Sequence, residues 1–470
     1  MRLIVILFLI LPLLNGSIGA NKVMGQTIAG TFQNPTVQDK YVYISDYFGM
    51  DHKKIDSVKL DQNYAFQFKG LELAKGQYRL SLNDTVYKDI LVNPSEKAIS
   101  LNFGDTSKKL VESTTVLASQ ENMLLLEWEK KKIYIRNEIK KINDAIRAKP
   151  KNAIDEKQEL VTMRDSFRVY EQEYLKFMLN ERATDGQFFK ELYSNYLFPS
   201  FEEASKENSG TYYPNEKAFL KANFFNNLDF GNETLKRTKV FPEMAWYYIN
   251  NYTNYNEQGF IKSINKILDV AAADEETKQS LMKFLLKKFH KNGPKIVFQY
   301  MVENYLLEGA CGDMEIDDDV QLMAKIYESL LPGNKSPNLE MKDPDDQLVS
   351  IEKIAKNKLG TILFFWSSHC KYCKEAVPTL RQLYQLNKDK GIEIIGISLD
   401  NHKPYWTKAI EEHQLNWINM TDLKAWKSDA VEKFKVHKTP YFYLLSSDMT
   451  IISKPANVQM LKRDVKNLVE

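Results

Sequence analysis

The sequence predicts a multidomain chain: an N-terminal antiparallel β-sandwich, a central α-helical region and a C-terminal α/β domain. Three observations predict it. Apolar and polar residues alternate from about Gln26 to Phe103, the period of half-buried strands. Apolar residues recur at three- and four-residue spacing from about Val116 to Leu331, the period of one helix face. Beyond LPGNKSPN (331–338) strand-like and helix-like segments alternate to the end, the order of an α/β layer. A length of 470 residues leaves room for roughly three domains.

Residues 1–20 read as a secretory signal. Arg2 gives the positive start, and Leu3 to Leu14 an apolar run too short to span a bilayer comfortably. Cleavage is expected after Gly19, Ala20 or Gly25. No cysteine stands near that point, so a lipoprotein anchor is not expected. The mature protein should be soluble and exported, in the periplasm or cell envelope. A net charge of +2 gives no reason to expect nucleic acid. Only three cysteines are present, too few for a disulfide framework.

The first domain is expected over 26–112. KYVYISDY, YAFQFKG, GQYRLSLN and KAISLNFG alternate, with Asn, Asp and Gly between them. No catalytic grouping shows here, and His52 is expected to be solvated. The helical region is expected over 116–331. Trp128, Ile135, Ile139, Ile142 and Ile146 line one long helix. Leu160, Met163, Phe167, Tyr170, Tyr174 and Phe177 line the next. A turn around Lys149–Asn152 should fold the two into an antiparallel hairpin, the aromatic stripe forming core rather than a ligand box. Further helices are expected over Glu276–Lys291 and Val320–Leu331. Cys311 reads as a free thiol on a loop.

The C-terminal domain, 335–470, carries the chemistry. Within Thr361–Trp366, Ile362–Trp366 is an apolar, aromatic-rich run of the kind a doubly buried strand shows. Ser367 and Ser368 break it, and His369, Cys370, Lys371, Tyr372 and Cys373 follow at the start of a helix. A cysteine at a helix N-terminus faces unpaired N–H groups and the positive end of the dipole, which favour the thiolate. His369 and Lys371 flank it with further positive charge. Cys370 is expected to attack and Cys373 to resolve. Cys-x-x-Cys is also half of a zinc site, but no second cysteine pair exists. Strands are expected at Ile392–Leu399, Pro440–Leu445 and Thr450–Ser453, with helices over Lys403–His413 and from Val458.

On these residues the domain resembles the thioredoxin superfamily, and within it the exported TlpA/ResA-type thiol-disulfide oxidoreductases. The strand ends in Phe365-Trp366, the Cys370/Cys373 pair follows, and Pro378 lies five residues after the second cysteine. IEIIGISLD is similar to the family's second long strand, and Val436-His437-Lys438-Thr439-Pro440 to its cis-proline loop. The preceding regions look like those placed before such domains in Bacteroidetes proteins. The resemblance implies a thioredoxin-like fold and a redox-active disulfide with no other cofactor. It also implies protein disulfides as substrates and a membrane electron donor, with reduction the favoured direction. It places Trp366, Thr439 and Pro440 against substrate. The chain departs from the family where His369 replaces a common tryptophan, and where the buried acids of the family fall on Phe364 and Ala376. Two other readings are a copper- or zinc-handling chaperone on the same fold, with His437 or His369 as third ligand, and an envelope scaffold with a secondary redox domain.

Overall fold

The computed structural model describes residues 25–33, 41–105, 110–150, 152–206, 211–307 and 318–470. The expected signal segment and Cys311 lie outside the described residues. The chain divides into two compact units, 1–248 and 249–470.

In the first unit the strands are β1 (Gln26–Gln33), β2 (Tyr41–Phe48), β3 (Asp51–Lys59), β4 (Ala65–Leu71), β5 (Gly76–Ser81), β6 (Tyr87–Val92), β7 (Ala98–Asp105) and β8 (Thr114–Ala118). They form two four-stranded sheets, β4-β1-β7-β8 and β3-β2-β5-β6. One apolar core draws on both: Ile28, Phe66 and Leu101 from the first, Ile44, Leu80 and Ile90 from the second. The second sheet is antiparallel throughout. The first is mixed, because β1 runs antiparallel to β4 but parallel to β7. This corrects the wholly antiparallel expectation. Alternation reports which face is buried, not the direction of the neighbouring strand.

Helix α1 (Gln120–Ala148) starts at Ser119, whose Oγ accepts from Asn122 N–H at 3.1 Å. It pairs antiparallel with α2 (Ile154–Phe177). Trp128 stacks on Tyr174 at 6.4 Å, and Lys131 Nζ donates to Tyr170 Oη at 3.0 Å. The stripe on α2 is not deep core, however. Met163, Tyr170 and Phe177 remain 53, 42 and 46% exposed. The hairpin buries the α1 side, Trp128, Ile135 and Ile142, more fully. Glu121 on α1 is buried and accepts from the N–H groups of Phe188 and Phe189 and from Asn93 Nδ2, each at 2.7 Å.

In the second unit, helices α3 (Glu257–Ala271), α4 (Glu275–Asn292), α5 (Lys295–Met301) and α6 (Asp318–Glu328) precede the α/β part. Asn256 and Asp274 cap α3 and α4 through side-chain oxygens, each 2.8 Å from a first-turn N–H. There follow β9 (Glu340–Lys342), β10 (Leu348–Ser350), β11 (Gly360–Trp366), α7 (Lys371–Asn387), β12 (Ile392–Ser398), α8 (Lys403–Glu412), β13 (Ile418–Met420), α9 (Asp429–Phe434), β14 (Tyr441–Leu445), β15 (Ile451–Ser453) and α10 (Val458–Val469). The five-stranded sheet runs β13-β12-β11-β14-β15. Every residue of β11 and β12 is buried, as strands covered on both faces must be. Leu363, Phe365, Ile395 and Tyr443 face one core, and Ile362, Phe364, Ile394 and Phe442 the other.

The register positions the site. Trp366 lies beside Ser398 in the parallel pair β11/β12, and Phe365 beside Tyr441 in the antiparallel pair β11/β14. The loop leaving β11, the loop leaving β12 and the loop entering β14 therefore meet at one end of the sheet.

Candidate active site

Cys370 is the N-cap of α7, and its Sγ accepts from Cys373 N–H at 3.1 Å. The two cysteines form a disulfide, with Cα atoms 5.2 Å apart. Three residues of spacing put the second sulfur one turn inside the helix. Cys373 is 1% exposed within the core that holds Phe364, Trp366 and Leu380, whereas Cys370 is only partly buried against that core. The pair is thus one accessible sulfur and one covered sulfur. Pro378 lies inside α7.

The turn before the pair is held from β12. Cys370 N–H donates to Ser367 O at 3.0 Å, and Leu399 N–H to Trp366 O at 2.8 Å. Asp400, 4% exposed, accepts from Ser368 N–H at 3.0 Å, Ser368 Oγ at 2.7 Å, Ser367 Oγ at 3.1 Å and Ser398 Oγ at 2.7 Å. The sequence reading missed this residue. Its signal was an aspartate directly following an apolar strand, opposite two serines that break another.

The loop entering β14 closes the other side. The Thr439–Pro440 bond is cis, and Thr439 O lies 3.4 Å from Cys370 Sγ. The carbonyl thus sits beside the sulfur that a substrate must reach. His437 Nδ1 is 3.2 Å from Lys435 O, its Nε2 is buried with no hydrogen-bond partner, and its ring meets Tyr441 edge-on at 5.2 Å. Burial, the largest cause, with help from Lys438 and Lys454, pushes its pKa down to about 4. The helical stretch ahead of the α/β part reaches this loop and the end of β15. Lys438 Nζ is 3.4 Å from Glu257 on α3, Gln299 Nε2 on α5 is 3.5 Å from Tyr441 Oη, and Lys454 Nζ is 2.9 Å from Glu303.

The other expected residues of the site are Trp366, expected against substrate, and His369 and Lys371, expected as charges beside Cys370. Trp366 is 2% exposed and stacks on Phe364 at 6.2 Å. It forms the floor under the cysteines rather than a surface for substrate, because it is the last residue of a strand covered on both faces. His369 is exposed and meets Tyr405 at 5.5 Å, while His402 meets the same ring at 4.6 Å. Lys371 is exposed, with its Nζ 3.9 Å from Glu375. Among the described residues no three His, Cys, Asp or Glu side chains group as a metal would need.

A mixed sheet with a disulfide at the start of its first long helix, facing a cis-proline loop, defines a dithiol domain of the thioredoxin superfamily. A family model described as thioredoxin-like matches residues 360–451. The chain is 26% identical over 127 residues to the thiol-disulfide oxidoreductase ResA of Bacillus cereus, a match covering 27% of this chain and 70% of that protein. It is 33% identical over 73 residues to the ResA of Bacillus anthracis, covering 16% of this chain and 41% of that protein. A solved structure of the thioredoxin domain of a thiol-disulfide oxidoreductase from Bacteroides vulgatus aligns at 28% identity and a TM-score of 0.28, covering 30% of this chain and 98% of that one. The C-terminal domain is of the TlpA/ResA type.

Proposed function

We propose that the chain exchanges disulfides of exported proteins through Cys370 and Cys373, in the reductive direction, in the periplasm or cell envelope. The observation that carries the roles is the unequal exposure of two sulfurs on one helix start. Cys370 thiolate attacks a substrate disulfide, forming a mixed disulfide and releasing one substrate thiolate. Cys373 thiolate then attacks Cys370 Sγ, forming the internal disulfide and releasing the second substrate thiolate. Two electrons pass from the dithiol to the substrate. A dithiol donor, for which a membrane protein is the candidate, must return them.

The N-cap position serves this sequence. Backbone N–H groups at the helix start stabilise the thiolate of Cys370 as the attacking group of the first step. Among the described residues no helix is long and apolar enough to cross a membrane. Export rests on the signal-like residues 1–20. The metal-handling and scaffold readings have no structural observation that favours them.

The test is a trap. Cys373→Ala keeps the attacking sulfur but removes the release step. In the periplasm it should accumulate reductant-sensitive mixed disulfides on non-reducing gels. Cys370→Ala should trap far fewer, because Cys373 is covered. Equal trapping by both variants would overturn the roles, and none by either would overturn the function.

A further inference from the structure

We propose that Asp400 is a positioning residue for the dithiol, fixing the Ser367–Ser368 turn and opposing the thiolate of Cys370. The inference rests on the exchange reading above. Its first support is geometric. Four donor groups from Ser367, Ser368 and Ser398 converge on one buried carboxylate. The same turn is closed by the Cys370 N–H to Ser367 O bond. Ser367 therefore links the two, its Oγ donating to Asp400 and its carbonyl accepting from the Cys370 N–H. Its second support is the sequence around the pair. Beside the pair the core presents Phe364 and Ala376, both buried and apolar. Asp400 supplies a buried carboxylate from the loop leaving β12.

The charge acts against the rest of the environment. The helix N-terminus favours the thiolate, and the side chains of His369 and Lys371 on either side of Cys370 are exposed. On α7, Glu375 lies beside Lys371. On α8, Lys403 is taken by Asp346 at 2.6 Å. On the proline loop, Lys438 faces Glu257. Among the described residues the partners of Asp400 are hydroxyls and an N–H, and no cation pairs with it. A like charge disfavours a thiolate, and in a covered site it is weakly screened. Asp400 thus keeps the dithiol less stable in its reduced form, and so the more effective reductant.

Two variants of the full mature chain test this, read by the glutathione equilibrium and by thiolate absorbance of Cys370 against pH. Asp400→Asn retains an acceptor oxygen, and serine hydroxyls can rotate to accept from its amide. Removing the charge should stabilise the thiolate, shifting the equilibrium toward the reduced pair by about tenfold, or about 30 mV in the oxidising direction. Ser368→Ala removes one donor and leaves the charge less compensated, so it should shift both readouts the opposite way. A purely structural role would not give opposite signs. Shifts of the same sign, or none, in a parent that cycles would overturn this inference alone. A parent without reversible exchange would overturn the functional reading and this inference with it. Should Asp400→Asn fail to fold, a Ser368→Ala variant at the parent's potential and thiolate titration would overturn it.

Discussion

Acid should loosen the proline loop through His437. Its imidazole is mostly buried, and its pKa is pushed down to about 4, by burial first and then by Lys438 and Lys454, against the raising effects of Lys435 O and Glu257. An exposed histidine in the unfolded chain protonates near 6.5. Between these values the unfolded chain binds the proton and the folded chain does not. The contribution is therefore whole above about pH 6.5, declines as pH falls, and is exhausted below about pH 4. A gap of about 2.5 units at about 1.4 kcal/mol each gives a loss of about 3 kcal/mol. Structurally, the added proton on Nε2 would have no acceptor. The perturbation is His437→Gln, which is neutral at every pH in the range. Because the chain has two compact units, a local readout is better than a global melt. Hydrogen exchange of the β14 amides, corrected for intrinsic rates, gives the opening free energy beside the loop. The parent-minus-variant difference should be level above pH 6.5 and fall by about 3 kcal/mol toward pH 4. A difference that stays constant across that range would refute the argument.

Two stability predictions follow from buried groups. Phe364 is fully buried and stacks on Phe442 at 5.5 Å, so Phe364→Ala should cost about 3–5 kcal/mol by denaturant unfolding of the second unit; a loss under about 1 kcal/mol would mean the core closes over the gap. Glu121→Ala strands three donors, Phe188 N–H, Phe189 N–H and Asn93 Nδ2, and should cost roughly 3 kcal/mol in the first unit by the same measurement, while Glu121→Asp, too short to keep all three, should fall between variant and parent.

How much was legible follows from what periodicity encodes. The run Ile362–Trp366 announced a buried strand because all its residues are apolar, and the structure buries every one. The helix after Cys370 was legible from its apolar spacing, and the exposure difference between the two cysteines from one turn of helix. Periodicity says nothing of partners. It missed the parallel β1/β7 pairing, which is decided by long-range contacts. It overstated the α2 stripe, because spacing marks a face but not whether a neighbour covers it. The resemblance, not periodicity, placed Trp366 against substrate, and the structure buries it at the end of a doubly covered strand. Asp400 was hidden for a related reason. A lone aspartate in a loop is ordinary, and only the register that sets Trp366 beside Ser398 brings it to Ser367 and Ser368.

The same register explains why the site depends on chain well before the cysteines. The stretch 331–338 reads as a linker, yet Gly333 and Ser336 donate their N–H groups to Ile451 O and Met449 O, each at 2.8 Å, and Ile451 N–H donates to Asn334 O at 2.8 Å. It continues the sheet edge at β15. From there α3 and α5 reach the proline loop at Lys438 and Tyr441, one on each side of Thr439–Pro440. The Lys438–Glu257 pair is partly exposed, so its own stabilisation is small. Lys454–Glu303 is better covered, with side chains 12 and 26% exposed. Tyr327 of α6 is 2% exposed. The contacts at Lys438 and Tyr441 flank the side of the site that faces Cys370 Sγ, while Asp400 binds the turn that carries it. Neither anchor lies in the Cys-x-x-Cys segment itself. The motif supplies the two sulfurs, and their setting comes from β12 on one side and from helices upstream of the domain on the other.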